Sequence, residues 1–496
     1  MWPRQAGNVI HAPMSDLLTL PTAAFVAYVL AAGAFIVAEN RRPHATFAWV
    51  LLFIVLPGIG VVIYVLFGRE LRDFSRKPGL IHHDLEHAPE PLASLLDAQG
   101  RALESLESRP GPQGRLARLV RHNGYSALTT ENRVEILQDA AGFYPRLMED
   151  LRKAKETIHL QFFQWASDAI GQELKRILLA KAAEGVQVRI LYDPLGSFWR
   201  MNPRYRWDLQ AGGVQIAPYS RLYLLHTISY RNHRKIAIID SITGYTGGLN
   251  IGQEHVDGGG KFKGWRDTHL RLVGTAAVIL QAVFAVDWAN AVGEGLLSPD
   301  NFPRVPSDTS RQDIPVQITI SGPDSRWRAI RQLYFALINS ARRHVYIQSP
   351  FFILDDTISE ALQASALAGV DVQIMLGDVG YGNPLPYWAA NTYIAEVASA
   401  GAKFFIYPRD RYFHPKTISI DSDVCSIGSA NMDIRSFSIN YELNAVIYDR
   451  DKALELEAAF VRDRAECVPF SLEDYQNSRS LTRFRDSVAR LFSPLL

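Results

Sequence analysis

The spacing of apolar and polar residues divides the chain into three regimes. Residues 17–38 are a run of about 22 positions without a charge, and residues 47–67 are another of about 21. Either is long enough to cross a bilayer as a helix. Glu39-Asn-Arg-Arg-Pro-His44 between them leaves room only for the turn of a helical hairpin, and Pro57-Gly58-Ile59-Gly60 marks a kink or a close helix approach in the second run. A cleaved signal peptide is the competing reading of the first run, but its apolar length exceeds an ordinary h-region and a second run follows directly. Residues 73–125 turn polar and irregular, punctuated by Pro78, Pro89, Pro91, Pro110 and Pro112, with short helical stretches such as 92–106. They read as a connector, and the cluster His82-His83-Asp84-Leu85-Glu86-His87 within them as solvated linker.

Beyond residue 125, strand-like and helix-like patterns alternate, and they do so twice. Glu156-Thr-Ile-His-Leu-Gln-Phe-Phe corresponds to His344-Val-Tyr-Ile-Gln-Ser-Pro-Phe, and Ala182-Ala-Glu-Gly-Val-Gln-Val-Arg-Ile-Leu to Ala366-Leu-Ala-Gly-Val-Asp-Val-Gln-Ile-Met. In each copy a helix, 169–184 or 358–368, ends at a glycine and a strand follows. The pattern predicts an α/β fold of parallel sheets with crossover helices. The predicted organisation is a membrane anchor over residues 1–72, a connector over 73–125, and two repeats over 126–300 and 301–496. A Pro-rich and polar segment, 298–315, separates the repeats.

Each repeat contains the same short grammar. Arg231-Asn-His-Arg-Lys-Ile-Ala-Ile-Ile-Asp240 places His233, Lys235 and Asp240 in the order H-x-K-x4-D, and His414, Lys416 and Asp421 repeat it. Seven residues past each Asp stands a turn, Gly247-Gly248-Leu249-Asn250 or Gly428-Ser429-Ala430-Asn431. His and Lys two apart project from one face of an extended strand, and the glycine turn lets backbone approach a ligand. Brought together, the copies supply two imidazoles, two ammonium groups and two Asn amides. That inventory suits a phosphodiester: one His attacks phosphorus and the other protonates the leaving oxygen. Lys235, Lys416, Asn250 and Asn431 hold the phosphoryl oxygens, with Gly248 and Ser429 lining the turns. The scheme calls on no metal and no cofactor.

One His must be neutral while the other is protonated, which a carboxylate beside each ring arranges. Asp267 and Glu442, each at the head of a strand-like run, are the candidates. Asp240 and Asp421 count with the motif as catalytic candidates, yet seven residues after His each falls on the opposite strand face, where a structural hydrogen-bonding role is equally expected. His226, His255 and His269 read as structural or rim residues.

Composition narrows the partners. Among 496 residues, 52 Lys and Arg balance 51 Asp and Glu for a net charge of +1, so no global basic field recommends nucleic acid. Cys425 and Cys467 read as buried thiols of a reducing compartment. No G-x-x-x-x-G-K-[ST], strand-linked G-x-G-x-x-G or H-E-x-x-H is present, so neither a nucleotide nor zinc has an evident cradle. Arg4, Arg69, Arg72, Arg76 and Lys77 flank the apolar runs against Arg41 and Arg42 between them, a bias that puts the catalytic region in the cytoplasm. Trp49 and Tyr64 are placed for the two membrane interfaces.

The doubled motif resembles the phospholipase D superfamily. The text Tyr230-Arg-Asn-His-Arg-Lys, Gly-Gly-Leu-Asn-Ile-Gly, Trp265-Arg-Asp-Thr-His and Ile427-Gly-Ser-Ala-Asn-Met-Asp-Ile-Arg-Ser-Phe is similar to the bacterial cardiolipin synthases within it. The resemblance implies two phospholipase D-like repeats around one shared active site, preceded by a transmembrane hairpin in a bacterial cell membrane. It implies transfer of a phosphatidyl group from one phosphatidylglycerol to another, giving cardiolipin and glycerol through a phosphatidyl-histidine. By the same resemblance His233 is the nucleophile and His414 the acid/base. A phospholipase D that gives the group to water, a nuclease of the same superfamily and a silent lipid-binding scaffold are the alternatives. Transfer to an alcohol must outcompete water, so the cleft is expected to open toward lipid past Phe198-Trp199 and Tyr387-Trp388.

Overall fold

The structure, a computed structural model, describes residues 14–39, 43–64, 68, 90–124, 126–220, 229–298, 301–302, 312–378 and 383–493. The basic residues expected to set orientation (Arg4, Arg41, Arg42, Arg69, Arg72, Arg76, Lys77), the His82–His87 cluster and His226 lie outside them. The chain separates into two compact units with the boundary after Glu70.

In the N-terminal unit, α1 (Met14–Ala38) and α2 (Pro43–Val55) form the hairpin. The second apolar run is not one helix. Pro57 lacks an N–H and Gly58 adopts φ 80°, so α2 stops at Val55 and the chain resumes as α3 (Ile59–Ile63). Gly60 allows the pieces to close up, since a Cβ there would lie 3.0 Å from the Leu52 carbonyl oxygen. Ile36, Phe53 and Tyr64 are buried between the helices, and Phe25, Leu30, Phe35, Phe47, Leu51 and Ile59 face outward. Tyr64 is drawn inside the hairpin, where its hydroxyl donates to the Glu39 carboxylate.

The second unit holds two sheets of one design. Strands β1 (Asn132–Gln138), β2 (Thr157–Phe162), β3 (Gln187–Tyr192), β4 (Gln215–Pro218), β5 (Ile236–Ile239), β6 (Thr243–Gly247) and β7 (Thr268–Gly274) lie in the order β1-β7-β6-β5-β2-β3-β4. Strands β8 (Val316–Ser321), β9 (His344–Ser349), β10 (Asp371–Gly377), β11 (Lys403–Tyr407), β12 (Thr417–Ile420), β13 (Val424–Gly428) and β14 (Glu442–Ile447) repeat it as β8-β14-β13-β12-β9-β10-β11. Short strands Leu128–Thr129 and Val468–Pro469 extend the edges of the second sheet.

Only half of each sheet is parallel, which corrects the all-parallel expectation. β2, β3 and β4 run parallel, as do β9, β10 and β11. The motif strands β5 and β12 turn straight back into β6 and β13, and so short a connection permits only antiparallel pairing.

Pairing also shifts the internal alignment by one residue. Ile158 faces Ile239 and Val345 faces Ile420, so Thr157 rather than Glu156 is the counterpart of His344, and Gln161 of Gln348. Sequence similarity had matched the following aromatic residues. A slip of one exchanges the two faces of a strand, and the motif strand alongside fixes the register.

The connector is not free. Helices α4 (Glu90–Glu107) and α5 (Gln113–Gly124) place Leu103, Leu106, Leu116 and Val120 in the core of the second half, and Leu128–Thr129 pairs with β8. The amphipathic spacing of these leucines, outweighed in sequence by proline punctuation, is the physical reason. Likewise Leu296, Phe302 and Ile314, in and beside the expected separator, are buried between the halves. The same core takes in Leu270 and Ile238 from the first sheet and Ile427 and Leu443 from the second. Helix α6 (Ala169–Ala183) covers the first sheet, and α7 (Thr275–Val292) lies in this shared core. Helix α7 is long and apolar enough to cross a membrane, but most of it is buried in the protein.

Candidate active site

Each motif histidine is held by the opposite half. Just before β5, Asn232 bridges Tyr441, and the His233 N–H donates to the Tyr441 carbonyl at 2.9 Å. Before β12, Tyr412–Phe413 pairs in parallel with Trp265–Arg266, and the His414 N–H donates to the Arg266 carbonyl at 2.9 Å. Tyr441 and Arg266 immediately precede Glu442 and Asp267. The backbone bond therefore delivers each ring to the next residue's carboxylate: His233 Nδ1 lies 3.1 Å from both Glu442 oxygens, and His414 Nδ1 lies 2.7 Å from Asp267 Oδ2. Both carboxylates are fully buried. The two rings thus belong to one site built across the halves.

The turns that follow each Asp prepare the carboxylates. A Cβ on Gly248 would lie 1.9 Å from Asp267 Oδ1, so glycine is required for that carboxylate to stand beside His414. Ser429, its counterpart, donates its hydroxyl to Glu442 Oε2 at 2.5 Å and its carbonyl lies 3.1 Å from His233 Nδ1. Gly248 and Ser429, expected to meet substrate, instead act on the carboxylates. Asn250 Oδ1 accepts the Gln164 N–H at 3.1 Å, whereas Asn431 Oδ1 is buried and unpaired among the described residues.

Lys235 and Lys416 are fully buried and donate back to the carbonyls of His233 and His414. Burial lowers Lys235 to about 7 and Lys416 to about 8. Burial also lowers His233 below its usual 6.5, against the pull of Glu442. His414 is pushed well below, by burial and then by Lys416, Lys235 and His233. Glu442 stays below the ordinary carboxylate value although burial opposes it, because His233, Lys235 and the Ser429 hydroxyl favour its charge. Crowded cations beside neutral-leaning imidazoles are what an anionic substrate would relieve.

Asp240 and Asp421, counted among the catalytic candidates, do not enter the site. They sit at the far ends of β5 and β12, in matched turns with φ 51° and 53°. Asp240 accepts the N–H groups of Lys155, Glu156 and Thr157, and Asp421 those of Arg342, Arg343 and His344. A four-residue strand separates them from the lysines, so their work is to tie the motif strand to its neighbour. His255 and His269 are buried core groups and not rim residues. His269 Nδ1 receives the Leu249 N–H at 3.3 Å, the bond that Asn444 Oδ1 makes with Ala430 in the other half.

Several contributors carried no sequence signal. Ser436 donates to Glu442 at 2.9 Å, and the Trp265 indole N–H reaches Asp267 at 3.4 Å. Two buried ion pairs brace the histidine segments. Arg234 meets both oxygens of Asp287 on α7 at 2.7 Å, with Gln161 donating to the same carboxylate, and Arg266 pairs with Asp463 at 2.8 Å, joined by Gln348.

Comparison with known proteins bears on this geometry. The family model described as "Cardiolipin synthase, PLD-like domain" matches residues 147–258 and 334–464, and "Phospholipase_D-nuclease N-terminal" matches residues 18–69. The major cardiolipin synthase ClsA of Bacillus subtilis (strain 168) is 36% identical over 486 residues, which cover 95% of this chain and 98% of that one. The cardiolipin synthase of Geobacillus kaustophilus is 37% identical over 464 residues, covering 92% of this chain and 90% of the other. Among solved structures, the phosphatidylserine synthase of Haemophilus influenzae is similar with a TM-score of 0.57 over 77% of this chain and all of its own; at 15% identity it speaks for the fold alone. A site shared between two phospholipase D-like repeats and identity above one third along nearly the whole length agree: the chain belongs to the cardiolipin synthase family of the phospholipase D superfamily.

Proposed function

We propose that the protein joins two phosphatidylglycerol molecules into cardiolipin and glycerol. His233 Nε2 attacks phosphorus of the first lipid as the bond to the glycerol oxygen breaks. His414 gives its proton to that oxygen, and glycerol leaves. The same His414 then takes the proton from a hydroxyl of the second phosphatidylglycerol, whose oxygen attacks phosphorus and releases His233. The lysines and the Asn431 amide offset charge on the phosphoryl oxygens. The observation that carries this reading is the crossed pairing of His233 with Glu442 and His414 with Asp267, which holds both rings with Nε2 free of the carboxylate. Binding of the anionic phosphodiester raises the affinity of His414 for its proton, as the acid step needs.

The N-terminal hairpin is read as a transmembrane anchor over residues 1–72, with residues 73–125 leading into repeats at 126–300 and 301–496. Its outward-facing Phe25, Leu30, Phe47 and Leu51 suit hydrocarbon, which supports a multi-pass protein of the bacterial cell membrane, and the basic residues flanking the two runs favour a cytoplasmic catalytic unit. Incubating detergent-purified protein with labelled phosphatidylglycerol, without nucleotide or metal, tests the activity. Cardiolipin with free glycerol is the expected result. Phosphatidic acid would mean that water is the acceptor, and no turnover would return the protein to the scaffold reading.

A further inference from the structure

We infer that the second half carries a binding site for one fatty acyl chain of a phospholipid substrate. The inference rests on the proposed transfer between two lipids. At the C-terminal ends of β9, β10 and β11 lies a cavity of about 560 Å³, inside the range of about 300–1,000 Å³ that holds small ligands. Phe351, Phe352, Leu376, Ile394, Ile406 and Phe470 line it. This apolar part of the wall offers contact area to a hydrocarbon tail, while Asp378, Tyr387, Asn391, Arg409, Ser471 and Asp474 make up a polar part. Asp378 and Arg409, paired with each other, supply a charged edge.

The cavity adjoins the reaction centre. Gly377 lines it, and a Cβ there would lie 3.5 Å from Cβ of Phe413, the residue before His414. Tyr407, also in the wall, has its ring 4.7 Å from that of Phe413. The wall of the cavity thus touches the residue that precedes His414.

The equivalent position in the first half is filled differently. By strand register Gly377 corresponds to Asp193. There the carboxylate fills the space: it accepts the N–H groups of Leu195, Gly196 and Asn232 at 2.9, 3.0 and 3.1 Å, and Arg231 stands 3.5 Å away. Where the halves otherwise agree strand for strand, at this position one carries a carboxylate held by backbone N–H groups and the other a glycine at the wall of the hollow. Two lipids with different parts in one reaction call for such a difference.

The neighbouring surface is equipped to meet lipid. Helix α8 (Leu385–Ala398) forms one wall and packs against α9 (Ser480–Arg490), through Asn391 and Asp486 at 2.9 Å and Arg490 over Tyr393 at 4.2 Å. On α9, Leu481, Phe484 and Val488 are exposed at helical spacing, with Arg483, Arg485 and Arg490 on the same short helix. An exposed apolar stripe flanked by arginine is the pattern of a helix resting in an anionic lipid interface.

The test measures cardiolipin formation by the full chain from phosphatidylglycerols that differ only in acyl length. Each buried methylene is worth roughly a fourfold factor. Ala390→Trp, which pushes an indole into the cavity, is expected to lower kcat/KM at least about tenfold for dioleoyl phosphatidylglycerol while changing that for the dihexanoyl lipid less than about twofold. Equal loss on both, or loss on neither, overturns the site. Because an indole here can disturb folding, the wild-type protein is also labelled with phosphatidylglycerol bearing a photoreactive acyl terminus. Cross-links at Phe352, Ile394 or Phe470 are expected; labelling confined to other regions overturns the inference. A wild type that makes no cardiolipin from any of these lipids would instead sink the proposed function.

Discussion

At the scale of the residue, burial and proximity set the chemistry, and they make definite predictions. His233 has its pKa lowered by burial and Lys235 and Lys416 are lowered to about 7 and about 8. The free enzyme needs a neutral His233, a protonated His414 and charged lysines. kcat/KM should therefore lose the His233 nucleophile on the acid side only below pH 6.5, fall as His414 gives up its proton, also below pH 6.5, and fall more steeply from about pH 7 as Lys235 loses its proton and then Lys416. In kcat the alkaline limb should move upward, because the bound phosphodiester favours the charged lysines. A rate that stays level to pH 10 would sink this assignment. The two histidines are distinguished by trapping: His414→Ala should accumulate a phosphatidyl adduct on His233, and mass spectrometry finding it at position 414 in the His233→Ala protein would reverse the roles. Gly248→Ala forces a methyl group against Asp267, so kcat should drop about 10- to 100-fold, as for loss of an outer partner. Circular dichroism should leave the fold of that variant unchanged. Asp240→Ala should do the converse, costing about 1.5–3 kcal/mol of stability for its charged hydrogen bonds while the folded fraction keeps its kcat. Thermal melts read beside specific activity separate the two cases.

At the scale of the element, the site was legible where chemistry repeats and illegible where packing decides. His233, Lys235, His414 and Lys416 stood out because one grammar occurs twice, and Asp267 and Glu442 because carboxylates at strand heads are unusual. Their crossing between halves was not readable. It follows from the parallel pairing of Tyr412–Phe413 with Trp265–Arg266, a contact between segments nearly 150 residues apart that no local pattern records. Helices 169–184 and 358–368 were found almost to the residue, because Gly185 and Gly369 end them at positive φ. The helical stretch 92–106 was read and recurs as Glu90–Glu107, but its place in the core was not legible: prolines mark turns locally, whereas the burial of Leu106 and Leu116 depends on a partner surface more than 200 residues away. Helix α7 shows the same dependence. Asp287 in its middle reads as a blemish in an apolar helix until Arg234 and Gln161 are seen to end on it. Asp287→Ala should cost about 3–5 kcal/mol by stranding the Arg234 charge, measured as a fall in Tm. The double variant Arg234→Met with Asp287→Leu should recover most of that loss, and if it melts as low as the single variant the charge pair is not the cause.

At the scale of the whole molecule, the two halves make one catalytic machine because neither half owns a complete histidine. Half one supplies His233 and the carboxylate for His414; half two supplies His414 and the carboxylate for His233. A shared core of Leu270, Ile318, Ile427 and Leu443 holds the halves in register within one chain. This arrangement differs from a dimer whose sites form between copies, and the difference is measurable. If the site is complete in each chain, mixing His233→Ala protein with His414→Ala protein leaves both kinds of chain broken, and no cardiolipin synthesis returns at any ratio. Refolding the two together from denaturant should not help, since covalent continuity returns each chain to its own partner half. Were the site formed between copies, a mixed population would contain wild-type combinations and recover up to about a quarter of the activity by simple pairing statistics. Recovery of that size would show that the halves exchange between chains, and the crossed carboxylates would then be read as contacts between copies.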